Sequence, residues 1–197
     1  MKIGVLALQG SFHEHLDMLA KLGVEAVPVR KAEALPGLAG LIIPGGESTT
    51  IGKLAKTFDL IDPLRALGPS VPIWGTCAGA IFLSRDARRE QPLLGLMDIT
   101  VERNAFGRQV DSFEVDLHVK ALDDPERPFH AIFIRAPLIE SVGPDVNVLA
   151  ELQNGTEGAN IVAARHGHLL ATSFHPELTD DDRFHRYFLS IVEESRA

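Results

Sequence analysis

Through the first half of the chain, short runs of apolar and β-branched residues alternate with segments whose apolar positions recur at helical spacing. Residues 2–8, 25–29, 41–43 and 71–74 carry the strand pattern, and residues 13–22 and 49–58 carry the helical one. This alternation predicts βα units on a mainly parallel sheet, with reactive loops gathered at the carboxyl ends of the strands. From about Ile99 the pattern turns to strands, at residues 112–119, 129–134, 146–152, 161–166 and 169–174. The second half therefore predicts a mixed sheet or an added antiparallel lobe. Phe184, Phe188, Ile191 and Val192 recur at helical spacing behind an acidic first turn, so residues 180–194 read as a closing helix over the sheet.

With 197 residues and 45% hydrophobic content, the chain has material for one substantial core. Neither a repeat nor a linker-like run interrupts it, and a single α/β domain over residues 1–197 is expected. A net charge of −8 argues against a nucleic-acid partner, which selects for a basic face. The apolar stretches at 41–43 and 80–83 fall far short of the ~18 residues a membrane-spanning helix needs, so no membrane partner is expected. Lys2 leads directly into the strand-like Ile3-Gly4-Val5-Leu6, without the order of a secretory leader, and a cytoplasmic location is expected.

Cys77 is the single cysteine, so it is either a buried filler or a reactive thiol. Gly75-Thr76-Cys77-Ala78-Gly79 stands between the strand pattern ending at Trp74 and the helical run Ala80-Ile81-Phe82-Leu83. That is the layout of a nucleophile elbow with cysteine in place of serine. The flanking glycines relieve crowding at the sharp turn, and a helix N-terminus behind the sulfur favours the thiolate. Near the C-terminus, His175-Pro176-Glu177 supplies what such a nucleophile lacks. His175 can take the thiol proton and return one to a leaving amine. Proline is expected to hold His175 extended, so that residues 175 and 177 project to one side and Glu177 orients the imidazole.

A third element is the strand-like Leu41-Ile42-Ile43 followed by Pro44-Gly45-Gly46-Glu47-Ser48. Backbone N–H groups at Gly45 and Gly46, with that of Ala78, can form an oxyanion hole, and the Gly45–Gly46 peptide is free to rotate between two orientations. The competing reading is an ordinary βα turn capped by Ser48. A phosphate-binding loop is excluded, because five residues separate Gly46 from Gly52 and Leu54 follows Lys53 where Ser or Thr is needed. His13 and His15 lie two apart on a helix and diverge, and His166 and His168 lack acidic companions, so no metal is expected.

Elbow, Pro-Gly-Gly-Glu-Ser turn and His-Pro-Glu together resemble the class I, triad-type glutamine amidotransferases, and imply their flavodoxin-like α/β fold. The narrower resemblance is to the glutaminase subunits of pyridoxal 5′-phosphate synthases. It rests on Leu6-Ala7-Leu8-Gln9-Gly10, Gly45-Gly46-Glu47-Ser48-Thr49-Thr50, Arg103-Asn104-Ala105-Phe106-Gly107-Arg108-Gln109, Asp111-Ser112-Phe113-Glu114, Phe133-Ile134-Arg135-Ala136-Pro137 and Ser173-Phe174-His175-Pro176-Glu177-Leu178. The resemblance implies a Cys77–His175–Glu177 triad and an L-glutamine pocket involving Gly46, Glu47, Ser48, Arg103, Ile134 and Arg135. It implies no cofactor, a protein partner in the form of the synthase subunit, and activity held back until that partner binds. Two other classes fit the same architecture: a glutaminase or hydrolase of another pathway, and a non-catalytic redox sensor built on Cys77. The second has no use for His175 and Glu177.

Overall fold

The computed structural model describes residues 1–103, 112–152 and 160–196. β1 (Lys2–Leu6), α1 (Phe12–Lys21) and β2 (Glu25–Val29) open the fold, followed by β3 (Gly40–Ile43), α2 (Ser48–Thr57) and α3 (Ile61–Leu67). β4 (Ile73–Thr76) meets α4 (Ala78–Leu83) with only Cys77 between them. The strands β5 (Ser84–Asp86), β6 (Met97–Glu102), β7 (Ser112–Leu117), β8 (Phe129–Ile134) and β9 (Leu138–Val142) come next. β10 (Asn147–Glu151), β11 (Ile161–His166) and β12 (Leu169–Thr172) lead through a 3-10 turn at Pro176–Leu178 into α5 (Arg183–Glu194).

Among the described residues, ten strands form one sheet in the order β2-β1-β3-β4-β12-β11-β9-β6-β5, with β10 paired to β11 off that path. β2, β1, β3, β4 and β12 run parallel. β11 is antiparallel to β12, β10 and β9, and β9 is antiparallel to β6. β7 and β8 form a separate antiparallel hairpin. The expected mixed sheet and the added antiparallel unit are both present.

Alternate residues of the central strands feed two cores, as the period-2 direction of strand side chains requires. Leu41, Ile43 and Ile73 pack with Ile51, Ala55 and Leu64 of α2 and α3 on one face. Ile42 and Trp74 pack with Leu19 of α1 and with Phe184, Phe188, Ile191 and Val192 of α5 on the other. Both faces of the parallel strands are thereby covered, which is why β3, β4 and β12 are buried at every position.

β1 ends at Leu6 rather than at residue 8. α3 and β9 have no counterpart in the sequence expectations. α3 is only seven residues long with Leu64 as its one buried position, and in β9 only Ile139 is buried, so neither element writes a period into the chain. Residues 104–111, which hold much of the Arg103–Gln109 motif together with Asp111, lie outside the described residues, as do residues 153–159. Among the described residues, no helix is long and apolar enough to cross a membrane.

Candidate active site

β4 is flanked by β3 and β12, both parallel to it, with Ile43 opposite Gly75 and Thr172 opposite Thr76. Pro44–Gly46, Cys77 and Ser173–Glu177 therefore leave the sheet side by side at one edge, although nearly a hundred residues separate the second from the third. Two backbone bonds pin the arrangement: Cys77 N–H donates to Thr172 O at 2.8 Å, and His175 N–H donates to Ile132 O of β8 at 2.9 Å.

Cys77 has φ 48° and ψ −109°, a sparsely populated conformation for a residue with a Cβ. Such backbone strain costs of order 1–3 kcal/mol and persists only where the surroundings impose it. Here the surroundings are the strand on one side and α4 on the other, with no room for side chains between. A Cβ on Gly79 would stand 1.9 Å from Ile43 O, and one on Gly75 would stand 2.5 Å from Gly79 O. The elbow is thus present as expected, but α4 is only six residues long, so the helix dipole is a lesser influence on the thiol than the sequence suggested. Cys77 is 5% exposed, and its immediate polar neighbour is His175.

His175 Nδ1 lies 2.8 Å from Glu177 Oε1, which leaves Nε2 as the ring nitrogen available to Cys77. The expected extended His-Pro-Glu geometry is replaced by a single 3-10 turn at Pro176–Leu178, with His175 as its N-cap. Proline suits the first position of such a turn because its fixed φ is already helical and it has no N–H to satisfy there. The turn curls Glu177 back onto the imidazole, where strand alternation would only have set the two side chains parallel. Glu177 is 5% exposed and also accepts from Ser11 Oγ at 2.5 Å through the same Oε1. Burial works against charge on both partners. The hydrogen bonds to Cys77 and Glu177 nevertheless raise the His175 pKa to about 10. The neighbouring His15, His175 and Ser11 hold Glu177 down at about 2. At neutral pH, the imidazole is protonated and the carboxylate ionised.

The triad faces a cavity of about 310 Å³ lined by Gln9, Gly46, Glu47, Ser48, Arg103 and Ile134, among others. Glu47 is the N-cap of α2 and accepts from the N–H groups of Thr49 and Thr50 and from both their hydroxyls. Burial again opposes the charge, but these donors bring its pKa to about 2, and Arg103 Nη2 meets Oε1 at 2.8 Å. Cys77 Sγ lies 4.0 Å from Ile134 O, at the end of β8 where Arg135 turns with φ 42°. Gly45 packs against the imidazole so closely that a Cβ there would stand 2.4 Å from His175 Cε1. Its carbonyl accepts from Ser11 N–H at 3.2 Å. A larger hollow of about 700 Å³ lined by Lys56, Asp59, Arg65 and Glu90, among others, has neither cysteine nor histidine in its lining, so volume alone does not mark the site.

Residues 5–194 match the SNO glutamine amidotransferase family. This chain belongs to that family. It is similar to the pyridoxal 5′-phosphate synthase subunit PdxT of Dehalococcoides mccartyi (strain CBDB1), at 59% identity with 100% of both chains covered. To the subunit of the same name from Moorella thermoacetica it is 56% identical, over 98% of this chain and 100% of that one. A crystal structure described as a glutamine amidotransferase superposes with a TM-score of 0.89 at 52% identity, covering 97% of this chain and 98% of the other. A Thermoplasma acidophilum protein described as part of a GMP synthase shares the fold, at a TM-score of 0.70 and 21% identity over 100% of this chain and 96% of its own.

In this SNO glutamine amidotransferase, every site residue expected from the sequence lies at the strand-end cluster or in the pocket beside it. Three further residues belong to the cluster. Gln9 Oε1 accepts from Glu47 N–H at 2.7 Å and so fixes the glycine turn, Ser11 reaches Glu177, and His15 lies behind it. Gln9 and Ser11 stand in or beside the Leu6–Gly10 motif, and that motif was their only signal. For His15 the signal was its place on the apolar stripe of α1, three residues before Met18 and four before Leu19.

Proposed function

We propose that the protein hydrolyses L-glutamine to L-glutamate and ammonia, with Cys77 as nucleophile, His175 as general base and acid and Glu177 as orienting carboxylate, and that it delivers the ammonia to a pyridoxal 5′-phosphate synthase subunit. The observation that carries this reading is the Cys77–His175–Glu177 alignment at the mouth of a polar pocket. In the first half-reaction, the Cys77 thiolate attacks the carboxamide carbon and the oxyanion is met by backbone N–H groups of Gly46 and Ala78. Protonated His175 gives its proton to the departing nitrogen, the C–N bond breaks, and ammonia leaves a γ-glutamyl thioester on the sulfur. His175 then takes a proton from water, which attacks the thioester and releases the thiolate and the γ-carboxylic acid of glutamate, whose proton passes to solvent. Atoms and charge balance without a redox partner.

Free glutamine carries an ammonium and a carboxylate, and the Glu47–Arg103 pair offers a complement to each. With Gly46, Ser48, Ile134 and Arg135 these residues make up the proposed glutamine pocket. The synthase assignment is supported by the relatives of 59% and 56% identity, which carry the name of a pyridoxal 5′-phosphate synthase subunit. The need to keep the Cys77 thiol reduced fits a cytoplasmic location, and a net charge of −8 fits small-molecule and protein partners rather than nucleic acid. The test is ammonia release from glutamine by the chain mixed with its synthase partner. Cys77→Ala is expected to abolish release while leaving the thermal melt close to that of the unmodified protein. Turnover near the original rate in this variant would sink the assignment.

A further inference from the structure

His15 and His185 take no part in the mechanism above, yet both are fully buried directly behind the triad. His15, on the inward face of α1, has Nδ1 3.0 Å from His185 Nε2 on α5. Its Nε2 is 3.2 Å from Thr76 Oγ1 and 3.4 Å from Glu177 Oε2. That carboxylate oxygen is buried without a hydrogen-bond partner, because His175 and Ser11 both bond to Oε1. Nε2 is bonded to Thr76 Oγ1, and a turn of its N–H towards the carboxylate with a closing movement of about 0.3 Å brings Oε2 within ordinary hydrogen-bond range as well.

We propose that His15 is a positioning residue for glutamine hydrolysis, holding the second oxygen of Glu177, with His185 dictating which nitrogen of His15 carries the proton. The inference rests on the triad assignment of the proposed function and extends it by one shell. One proton arrangement suits the whole cluster. His15 Nε2 must bear hydrogen to face a carboxylate, so Nδ1 is bare and accepts from His185 Nε2–H. His185 Nδ1 is then also bare, and it is the ring nitrogen left without a partner. A buried lone pair is thus stranded, while no N–H donor of the two rings goes unmet.

The charged and titratable groups around His15 are Glu177 and His175 beyond β12, His185 on α5 and Glu14 on its own helix. Burial lowers the pKa of both His15 and His185 against the pull of Glu177, which favours the neutral form of each ring. Neutrality is what the role requires. A second cation at His15 would compete with the His175 imidazolium for the carboxylate, whereas a neutral N–H fixes the plane of the carboxylate and leaves its charge for His175.

The variants His15→Leu and His15→Gln test this, with glutamine hydrolysis measured in the complex and the His175 ring followed by NMR across pH in the full chain alone. His15→Leu is expected to lower kcat about 10- to 100-fold, the scale found when an outer partner of a functional ligand is removed, with KM within about twofold. The His175 titration should fall by roughly one pH unit, since the Glu177 carboxylate keeps its charge but is no longer held in the plane of the imidazole. His15→Gln places an amide N–H near the Nε2 position and should restore most of both. A folded His15→Leu protein with unchanged kcat and His175 titration overturns the proposal, as does a Gln variant no better than Leu. Should the Leu variant not fold, Asn replaces it as comparator: its N–H sits near the Nδ1 position, and equal rates for Gln and Asn overturn the role. Failure of the unmodified complex to hydrolyse glutamine overturns the glutaminase reading itself, which the NMR titration distinguishes from a failure of His15.

Discussion

At the scale of single residues, the proposed chemistry turns on one buried ion pair. Glu177 and His175 each stabilise the charged form of the other against the cost of burial, so each has a displaced pKa that stability must report. Glu177 is held near 2 against an ordinary 4.5, so its contribution is complete above pH 4.5 and is lost as pH falls towards 2. His175 is raised to about 10 against an ordinary 6.5, so its contribution is complete below pH 6.5 and is lost as pH rises towards 10. Thermal melts across pH should therefore show a plateau between about 4.5 and 6.5 with loss on both sides. In Glu177→Gln the acid-side loss should shrink, and the alkaline loss should begin earlier and be smaller. The same variant keeps the shape of the turn but not the charge that stabilises an imidazolium. Its kcat should fall by about 10²–10⁴ with a much smaller change in KM, as when the carboxylate of a comparable triad is neutralised. Equal turnover of both proteins would reduce Glu177 to a structural role.

At the scale of elements, the elbow between β4 and α4 is where packing and function constrain each other. The chain passes from strand to helix through one residue, and α4 lies so close to β3 that a Cβ at Gly79 would stand 1.9 Å from Ile43 O. Backbone cannot yield there as a flexible side-chain tip can. Gly79→Ala should cost about 3 kcal/mol, at the top of the usual range for overpacking. For a chain of this size, that corresponds to a fall in melting temperature of about 6–12 °C. Because the strain falls on Cys77, the folded fraction should also lose turnover. A melt within a degree or two of the unmodified protein would mean that the elbow relaxes more readily than its geometry implies. The 3-10 turn at Pro176–Leu178 is the second such element, and it shows why His-Pro-Glu was legible as a pair but not as a shape. The residue types announced a base and a carboxylate, but the curl that joins them is visible only in the fold, where Ser11 at the N-cap of α1 and His15 within it also meet Glu177.

At the scale of the molecule, the site is assembled from the ends of β3, β4 and β12, and the glycine peptide that follows β3 is one of its joints. The Gly45 carbonyl is held by Ser11 N–H, so turning the Gly45–Gly46 peptide breaks a single hydrogen bond, a net cost of about 1 kcal/mol. A partner that favours one orientation by a few kcal/mol can switch the population of a competent oxyanion hole. Ammonia release by the chain alone should accordingly be at least about 10²-fold slower than in the presence of saturating synthase, the size of the loss of one oxyanion donor. Full activity without any partner overturns the switch and leaves the triad chemistry standing. The sequence by itself determined the alternating βα pattern, the closing helix, the elbow glycines and the residue types of the triad, because periodicity, backbone freedom and functional groups are all written locally. Only the tertiary structure decided that β12 lies against β4, which sets His175 beside Cys77. It also decided that the buried face of α1 brings His15 to Glu177. Strand order and the pairing of buried polar groups are settled by contacts between segments far apart in the chain, and no local pattern encodes them.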